Sequence, residues 1–354
     1  MNSVERFLAA AHCQPADATP VWYMRQAGRC LQQYRDLREK YDILTITRTP
    51  ELCAKVTLMP VEEFGVDAAV MYADIMLPLF GMDVPFSIDP GLGPIIANPL
   101  RSASAIASLK IVDPRDATPD LFEAIGMVRK ELEGKTALVG FAGAPFTLAS
   151  YMIEGRPSRE YAYTKQMMYA EPALWKQLMD TLEEVTVRYL LAQVEAGAQL
   201  LQLFDSWAGA LTRDAYASQV LPTLQAIVRR VKEHAEVPIT YFATDSSHLY
   251  PLFNTLGVDV VSIDWRTPID EAWTVLGSGV AVQGNLDPAA VLAPFDCVSS
   301  EARRVLDRVG SRPGHIFNLG HGVLPMTDPA ILRELASFVH ETTSRAVAEK
   351  VPAR

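Results

Sequence analysis

The chain has 354 residues, 49% of them apolar and 21% charged, which allows a large buried core and excludes wholesale disorder. Its 32 basic side chains face 42 acidic ones, a formal charge of −10, and this argues against nucleic acid as the main partner because phosphate binding needs a basic footprint. The length admits two domains, or one α/β barrel of about 250 residues with insertions.

Cys13, Cys30, Cys53 and Cys297 show neither CxxC spacing nor the density of a disulfide framework, a pattern that suits a reducing cytosol. The start, MNSVERFLAAAHCQ, places Glu5 and Arg6 before a very short apolar stretch and reads poorly as a secretory signal. No apolar run reaches the roughly 18 residues of a membrane-spanning helix. The expectation is a soluble, cytoplasmic protein with no membrane contact.

Short apolar runs recur along the chain: residues 21–24 (VWYM), 68–72 (AAVMY), 137–141 (ALVGF), 200–204 (LLQLF), 239–243 (ITYFA), 260–263 (VVSI), 280–283 (VAVQ) and 315–319 (HIFNL). They are continuous rather than alternating, as strands covered on both faces of a parallel sheet are. Between them lie helical stripes. Leu174, Leu178, Leu182, Val185 and Tyr189 share one face ahead of a stop at Gly197. Thr212 is a candidate N-cap for a helix running to about His234, and Asp328 with Pro329 opens a last helix. Strands alternating with helices in this number predict a closed (β/α)8 barrel of the TIM type, with a doubly wound open sheet as the main competitor. The Gly- and Pro-rich stretch 81–99 reads as a hairpin-like insertion after the second strand. With no composition break or fixed-period repeat, residues 1–354 read as a single domain.

Barrel sites form at the C-terminal ends of strands. After the first run stands Arg25-Gln26-Ala27-Gly28-Arg29, and after the second Ala73-Asp74-Ile75. The third leads to AGAPFT and Tyr151, the fourth to Asp205-Ser206-Trp207, and the last to Gly320-His321-Gly322. Arg25 and Arg29 converge either on a helix face or through a tight turn at Gly28, and guanidinium forks suit carboxylates and phosphates. They could equally be surface salt-bridge residues. Asp74 is a helix cap or a catalytic group, and Asp205 and Ser206 share that ambiguity. His321 is a turn residue or a site residue, and Tyr151 a core aromatic or a site hydroxyl. Gly91-Leu92-Gly93 and Gly277-Ser278-Gly279 are incomplete dinucleotide fingerprints, and GxxxxGK[ST], GxSxG and HExxH are absent. His315 and His321 lack cysteines at zinc spacing, so no metal site is expected.

Five segments in order, PVWYMRQAGR (20–29), YADIMLPLFGM (72–82), GFAGAPFTLASYMIEG (140–155), QLFDSWAG (202–209) and FNLGHG (317–322), resemble the uroporphyrinogen decarboxylase family, with similarity over about residues 3–348. The resemblance implies a single-domain (β/α)8 barrel, usually a homodimer. It implies loss of four acetate carboxylates as CO2 from uroporphyrinogen III, a polyanionic tetrapyrrole, giving coproporphyrinogen III on the haem route with no metal or organic cofactor. By the same resemblance, Arg25, Gln26, Ala27, Gly28, Arg29, Asp74, Tyr151, Ser206 and His321 bind substrate. Asp74 is the candidate for stabilising a ring cation, and Arg25, Tyr151 and His321 are the other candidate catalytic groups. Cys30 and the Gln32-Gln33 pair stand where the family commonly has an aromatic residue and Pro-Glu. That departure bears on the positioning of the arginine loop.

Two other readings compete. Cobamide-dependent methyltransferases are similar to this family, but they hold zinc with His-x-Cys and a later cysteine, whereas here the late loop reads His321-Gly322-Val323-Leu324 and no cysteine follows Cys297. A non-enzymatic tetrapyrrole carrier would bind the ring, need no buried Asp74 and release no CO2.

Overall fold

The computed structural model describes residues 1–89 and 91–344. Nine strands occur among them: β1 (Ala68–Val70), β2 (Ser87–Asp89), β3 (Gly93–Ile95), β4 (Ala137–Gly143), β5 (Leu200–Asp205), β6 (Ile239–Ala243), β7 (Val260–Ser262), β8 (Ala281–Leu286) and β9 (His315–Leu319). Seven pair in parallel in the order β1-β4-β5-β6-β7-β8-β9, while β2 and β3 form a separate antiparallel hairpin in the interval after β1. The parallel strands are buried almost throughout, as their unbroken apolar runs require. The sheet curls with helices packed outside it. The long helix Pro172–Ala196 lies against β4 and against helices Pro119–Glu131 and Leu221–Lys232. The buried apolar side chains form one continuous cluster.

The expected strand at 21–24 is present only as a single parallel bridge, Val21 to Phe317. Its backbone does span the gap between β9 and β1. Phe317 N–H donates to Pro20 O at 2.9 Å, and Asp67 N–H donates to Val21 O at 2.7 Å. Longer ladders cannot form because side chains take the remaining donors. The N–H groups of Val21, Tyr23 and Met24 go to Asp67 Oδ2, Gln26 Oε1 and Asn318 Oδ1 at 2.8, 2.9 and 2.9 Å. The eighth stave is therefore held by side chains as well as by backbone bonds.

One predicted helix is two. Thr212 caps Arg213–Gln219 through Ala215 N–H, but the chain breaks at Val220 before Leu221–Lys232. Pro222 supplies the reason, since its ring has no N–H for the carbonyl of Ser218 and would clash with it in a continuous helix. Gly197 stops the long helix with φ 126°, and Asp328 caps Pro329–Thr343 through Ala330 N–H. Among the described residues no helix is long and apolar enough to cross a membrane.

The barrel interior is partly polar. Gln283 Oε1 accepts from Trp22 Nε1 at 2.8 Å, and its amide nitrogen reaches Ser262 Oγ at 2.9 Å and Gln202 Oε1 at 3.2 Å. This cross-brace ties the bridging segment to β5, β7 and β8. One pleat repeat nearer the strands' C-terminal ends, the interior turns aromatic.

Candidate active site

Arg25 is placed by a reverse turn in which Gln26 N–H donates to Tyr23 O at 2.9 Å. Its own φ is 60°, a left-handed conformation that costs a non-glycine residue about 1 kcal/mol or more and that marks functional loops. A second turn follows, with Leu31 N–H donating to Gly28 O at 3.0 Å. Arg25 and Arg29 thus converge through turns rather than on a helix face. A Cβ on Gly28 would stand 3.2 Å from Arg25 O, so the tight path favours glycine there. Among the described residues neither guanidinium has a carboxylate within 4.0 Å, which removes the salt-bridge reading.

The Gln26 side chain points away from the other candidate site residues. It is fully buried, with Oε1 accepting from Tyr23 N–H and Nε2 donating to Ala68 O at 2.8 Å. Its amide is spent on docking the arginine turn against β1, so its side chain holds the loop and does not line the cleft. The unusual Gln32 has a related role. Its Oε1 orients Arg35, whose Nη1 donates to the carbonyls of Arg29 and Cys30 at 2.9 Å each. Residues 29 and 30 are fixed in this way without a Pro-Glu pair.

Asp74 follows β1, where Tyr72 N–H donates to Thr57 Oγ1 at 2.9 Å and Cys53 Sγ approaches Tyr72 O at 3.1 Å. Its Oδ1 accepts Met76 N–H at 2.8 Å, opening the 3-10 turn Leu77–Met82. Oδ2 has no protein partner among the described residues. One oxygen caps and the other is left for a ligand. Burial raises the carboxyl above its usual range, against the opposing pull of Met76 N–H and Arg25.

Tyr151 lies on helix Pro145–Glu154, which begins directly after β4 and ends at Gly155 with φ 81°. Its ring centroid is 4.0 Å from Trp207, which is 5.1 Å from Tyr161. Burial, then the Asp74 charge, raises the phenol well above its ordinary value, so the hydroxyl remains a donor. Ser206 and Asp205 separate in role. Ser206 is half-buried at the loop, whereas Asp205 lies wholly inside, accepting from Thr147 Oγ1 at 2.7 Å and Tyr241 Oη at 2.8 Å. Burial pushes Asp205 up to about 6. It anchors the loop from below.

His321 is half-buried and among the described residues makes no backbone hydrogen bond through its ring, unlike His315, whose Nε2 donates to Gly284 O at 2.8 Å inside the barrel. Burial, then the charges of Arg25 and Arg266, lowers His321 to about 4. Its imidazole is neutral at physiological pH and offers a substrate one N–H and one lone pair. The ring proton shifts of His321, identified by their loss in His321→Gln, are therefore expected to stay flat from about pH 5.5 to 8. A titration midpoint near the ordinary value of about 6.5 would contradict this.

Arg25, Asp74, Tyr151 and His321 all keep some solvent-accessible surface, yet burial is the largest influence on the ionisation of each. Both are true of groups recessed among the loops that follow the strands but still reached by solvent. Arg25 is their common neighbour, perturbing the other three electrostatically. Local sequence did not show the apolar floor. Phe141, Phe204 and Phe242 share the interior pleat and meet edge to face, with centroids 5.4 and 6.0 Å apart, and Phe242 lies 6.1 Å from the His321 ring. Their strand register is the signal that finds them: Phe204 pairs with Phe242, and Phe141 lies beside Gln202 on the inward face. Among the described residues no three His, Cys, Asp or Glu side chains converge as a metal site would require. A separate hollow of about 450 Å³ at the other end of the strands includes Lys232 and Asp259, already paired at 2.7 Å.

The protein is an α/β barrel with an aromatic floor and, at its C-terminal rim, two arginines and a carboxylate that form no ion pair among the described residues. The fold recurs in a methyltransferase from Methanosarcina mazei, with TM-score 0.83 and 20% identity, covering 97% of this chain and 99% of that one. A family model described as Uroporphyrinogen decarboxylase (URO-D) matches residues 2–342. The protein named uroporphyrinogen decarboxylase in Roseiflexus sp. (strain RS-1) is 48% identical, covering 95% of this chain and 98% of its own. Its namesake in Geobacillus kaustophilus (strain HTA426) is 49% identical, with 96% and 98% covered. The chain belongs to the uroporphyrinogen decarboxylase family.

Proposed function

We propose that the chain removes the acetate carboxylates of uroporphyrinogen III as CO2, leaving methyl groups and giving coproporphyrinogen III. The observation that carries this is Asp74, whose Oδ2 has no partner among the described residues and which lies near Arg25, itself close to Arg29, neither arginine having a carboxylate partner among those residues. In a chain of net charge −10, such arginines are the local attraction a polyanion needs.

Direct loss of CO2 from a pyrrole-linked acetate would leave a carbanion with nothing to delocalise into. Protonation of the pyrrole at a ring carbon first makes an iminium-like cation. The electron pair of the breaking carbon–carboxyl bond then flows into that ring as CO2 departs. The exocyclic methylene takes up a proton, and the ring carbon gives one back. Each acetate therefore consumes one proton and becomes a methyl. The substrate serves as its own electron sink, as a cofactor does elsewhere.

Asp74 stabilises the cation, most effectively from beneath the macrocycle, where its free oxygen accepts from the inward pyrrole N–H groups. Arg25 and Arg29 hold peripheral carboxylates by paired hydrogen bonds, and Ser206 and neutral His321 bind others through single ones. Ala27 and Gly28 contribute the shape of the arginine turn. Tyr151 is a protonated hydroxyl beside Asp74, suited to pass a proton directly or through water. The aromatic floor accepts the apolar ring edges. We read the chain as one domain, a homodimer and cytoplasmic, on the strength of its family resemblance. Anaerobic incubation with uroporphyrinogen III, followed by counting carboxylates on the products, tests the activity. Four-carboxylate product supports it, and unchanged eight-carboxylate substrate overturns it.

Arg29→Lys keeps the charge and loses the fork. The KM for uroporphyrinogen III is expected to rise about tenfold with little change in kcat. Steady-state kinetics at moderate salt checks this, and unchanged constants would remove Arg29 as a carboxylate clamp.

A further inference from the structure

We propose that Gly322 is a positioning residue for Arg25, its missing side chain being what lets the arginine stem cross the loop after β9 and enter the cleft. A Cβ built on Gly322 would collide with Arg25 Cδ and stand 2.8 Å from its Cγ and 3.0 Å from its Cβ. The three nearest atoms all belong to that one stem. Gly322 has no left-handed φ, so backbone freedom does not call for glycine there. Space is the remaining reason.

The two loops cannot ease apart. Met24 N–H is held by Asn318 Oδ1 at 2.9 Å, and Met24 O accepts Val323 N–H at 2.8 Å. Arg25 itself is fixed in its left-handed turn. Any side chain at 322 therefore forces Arg25 to rotate about its Cα–Cβ bond, which swings the guanidinium away from Asp74, Tyr151 and His321. Gly322 touches no substrate in this account and acts through Arg25 alone.

The kinetic half of the test rests on the decarboxylase reading, and the stability half does not. Gly322→Ala is made in the wild-type chain and in an Arg25→Ala chain. Melting temperature, affinity for uroporphyrin III (the oxidised octacarboxylate) and CO2 release from uroporphyrinogen III are measured for each. In the wild-type background, Gly322→Ala is expected to lower Tm and to reduce kcat/KM and affinity by about tenfold or more. The His321 ring should titrate higher, and it should do so in Arg25→Ala as well. In the Arg25→Ala background Cγ and Cδ are gone and only the Cβ contact at 3.0 Å remains, so adding Gly322→Ala should lower Tm less than half as much as in the wild-type background and leave affinity within about twofold. Equal losses in both backgrounds, or wild-type behaviour of Gly322→Ala, would overturn the inference. A wild-type protein that releases no CO2 would overturn the decarboxylase reading instead, and the Tm comparison would still decide the role of Gly322.

Discussion

Asp74→Asn is expected to fold normally, bind uroporphyrin III about as well as the wild type, and lose about 10²–10³ in kcat. Asparagine is nearly isosteric and its Oδ1 still accepts Met76 N–H, so the turn into Leu77–Met82 keeps its cap. The charge is lost, and the free acceptor oxygen is replaced by an amide nitrogen that donates instead, to the unprotonated ring nitrogens of uroporphyrin III. Binding of an octa-anion does not suffer from losing an anion, whereas a ring cation loses its counter-charge. The loss therefore falls on kcat, and single-turnover CO2 release beside an affinity measurement separates the two. The wild-type pH profile should agree. The ionised carboxylate is the working form and burial raises its pKa. Activity should then fail on the acid side at a pH above the ordinary carboxylate value of about 3.9, recovering as pH rises and Asp74 loses its proton. Near-normal kcat in Asp74→Asn would contradict the electrostatic account.

Asp67→Ala should have the largest effect on stability, about 3–5 kcal/mol, because it strips a wholly buried carboxylate from its partners. Asp67 Oδ1 accepts from Arg6 Nη1 at 2.7 Å, while Oδ2 accepts Val21 N–H at 2.8 Å and meets His340 Nε2 at 2.6 Å. With Asp67 N–H on Val21 O, this residue holds both backbone groups of Val21 at the start of β1. Four residues further on, the same stave presents Arg25, so activity should fall with stability. Burial pushes the Asp67 carboxyl up, but His340, Val21 N–H and Arg6 outweigh it and the net direction is down. The folded pKa lies below the unfolded one. The ionic contribution is then complete above the unfolded value of about 3.9 and is lost as pH falls through the lower folded value. Denaturant unfolding of both proteins should give a gap that is large at pH 7 and narrows in acid as Asp67 takes up a proton. A gap under about 1 kcal/mol at pH 7 would show that the barrel closes without this clamp.

Strands with continuous apolar runs were legible because burial on both faces writes itself into local sequence, as in ITYFA at β6. The stave at 21–24 shows the limit of that signal. Its apolar run reads as a strand, but its hydrogen bonds go to Asp67, Gln26 and Asn318, which lie up to 294 residues away and leave no mark in the run. Pro222 is a local signal, and it explains why the helix expected from Thr212 is interrupted. In the site, charged residues at strand ends announced themselves, whereas burial alone distinguished Gln26 from its neighbours Arg25 and Arg29. Asp205 and Ser206 are adjacent, and only the inward turn of one carboxylate tells anchor from ligand. Gly322 was visible as a letter in the motif. Its reason is a contact with Arg25, almost the whole chain away.

In the proposed mechanism one carboxylate, set against the bound ring, makes that ring cationic enough to release its own side-chain carboxyls. A crystal structure of the protein with coproporphyrinogen III measures this most directly. The account predicts Asp74 Oδ2 within about 2.7–3.1 Å of pyrrole nitrogens, with Arg25 and Arg29 on the peripheral carboxylates. A ring bound with Asp74 turned from it, or with a peripheral carboxylate in place of the pyrrole nitrogens, would contradict it.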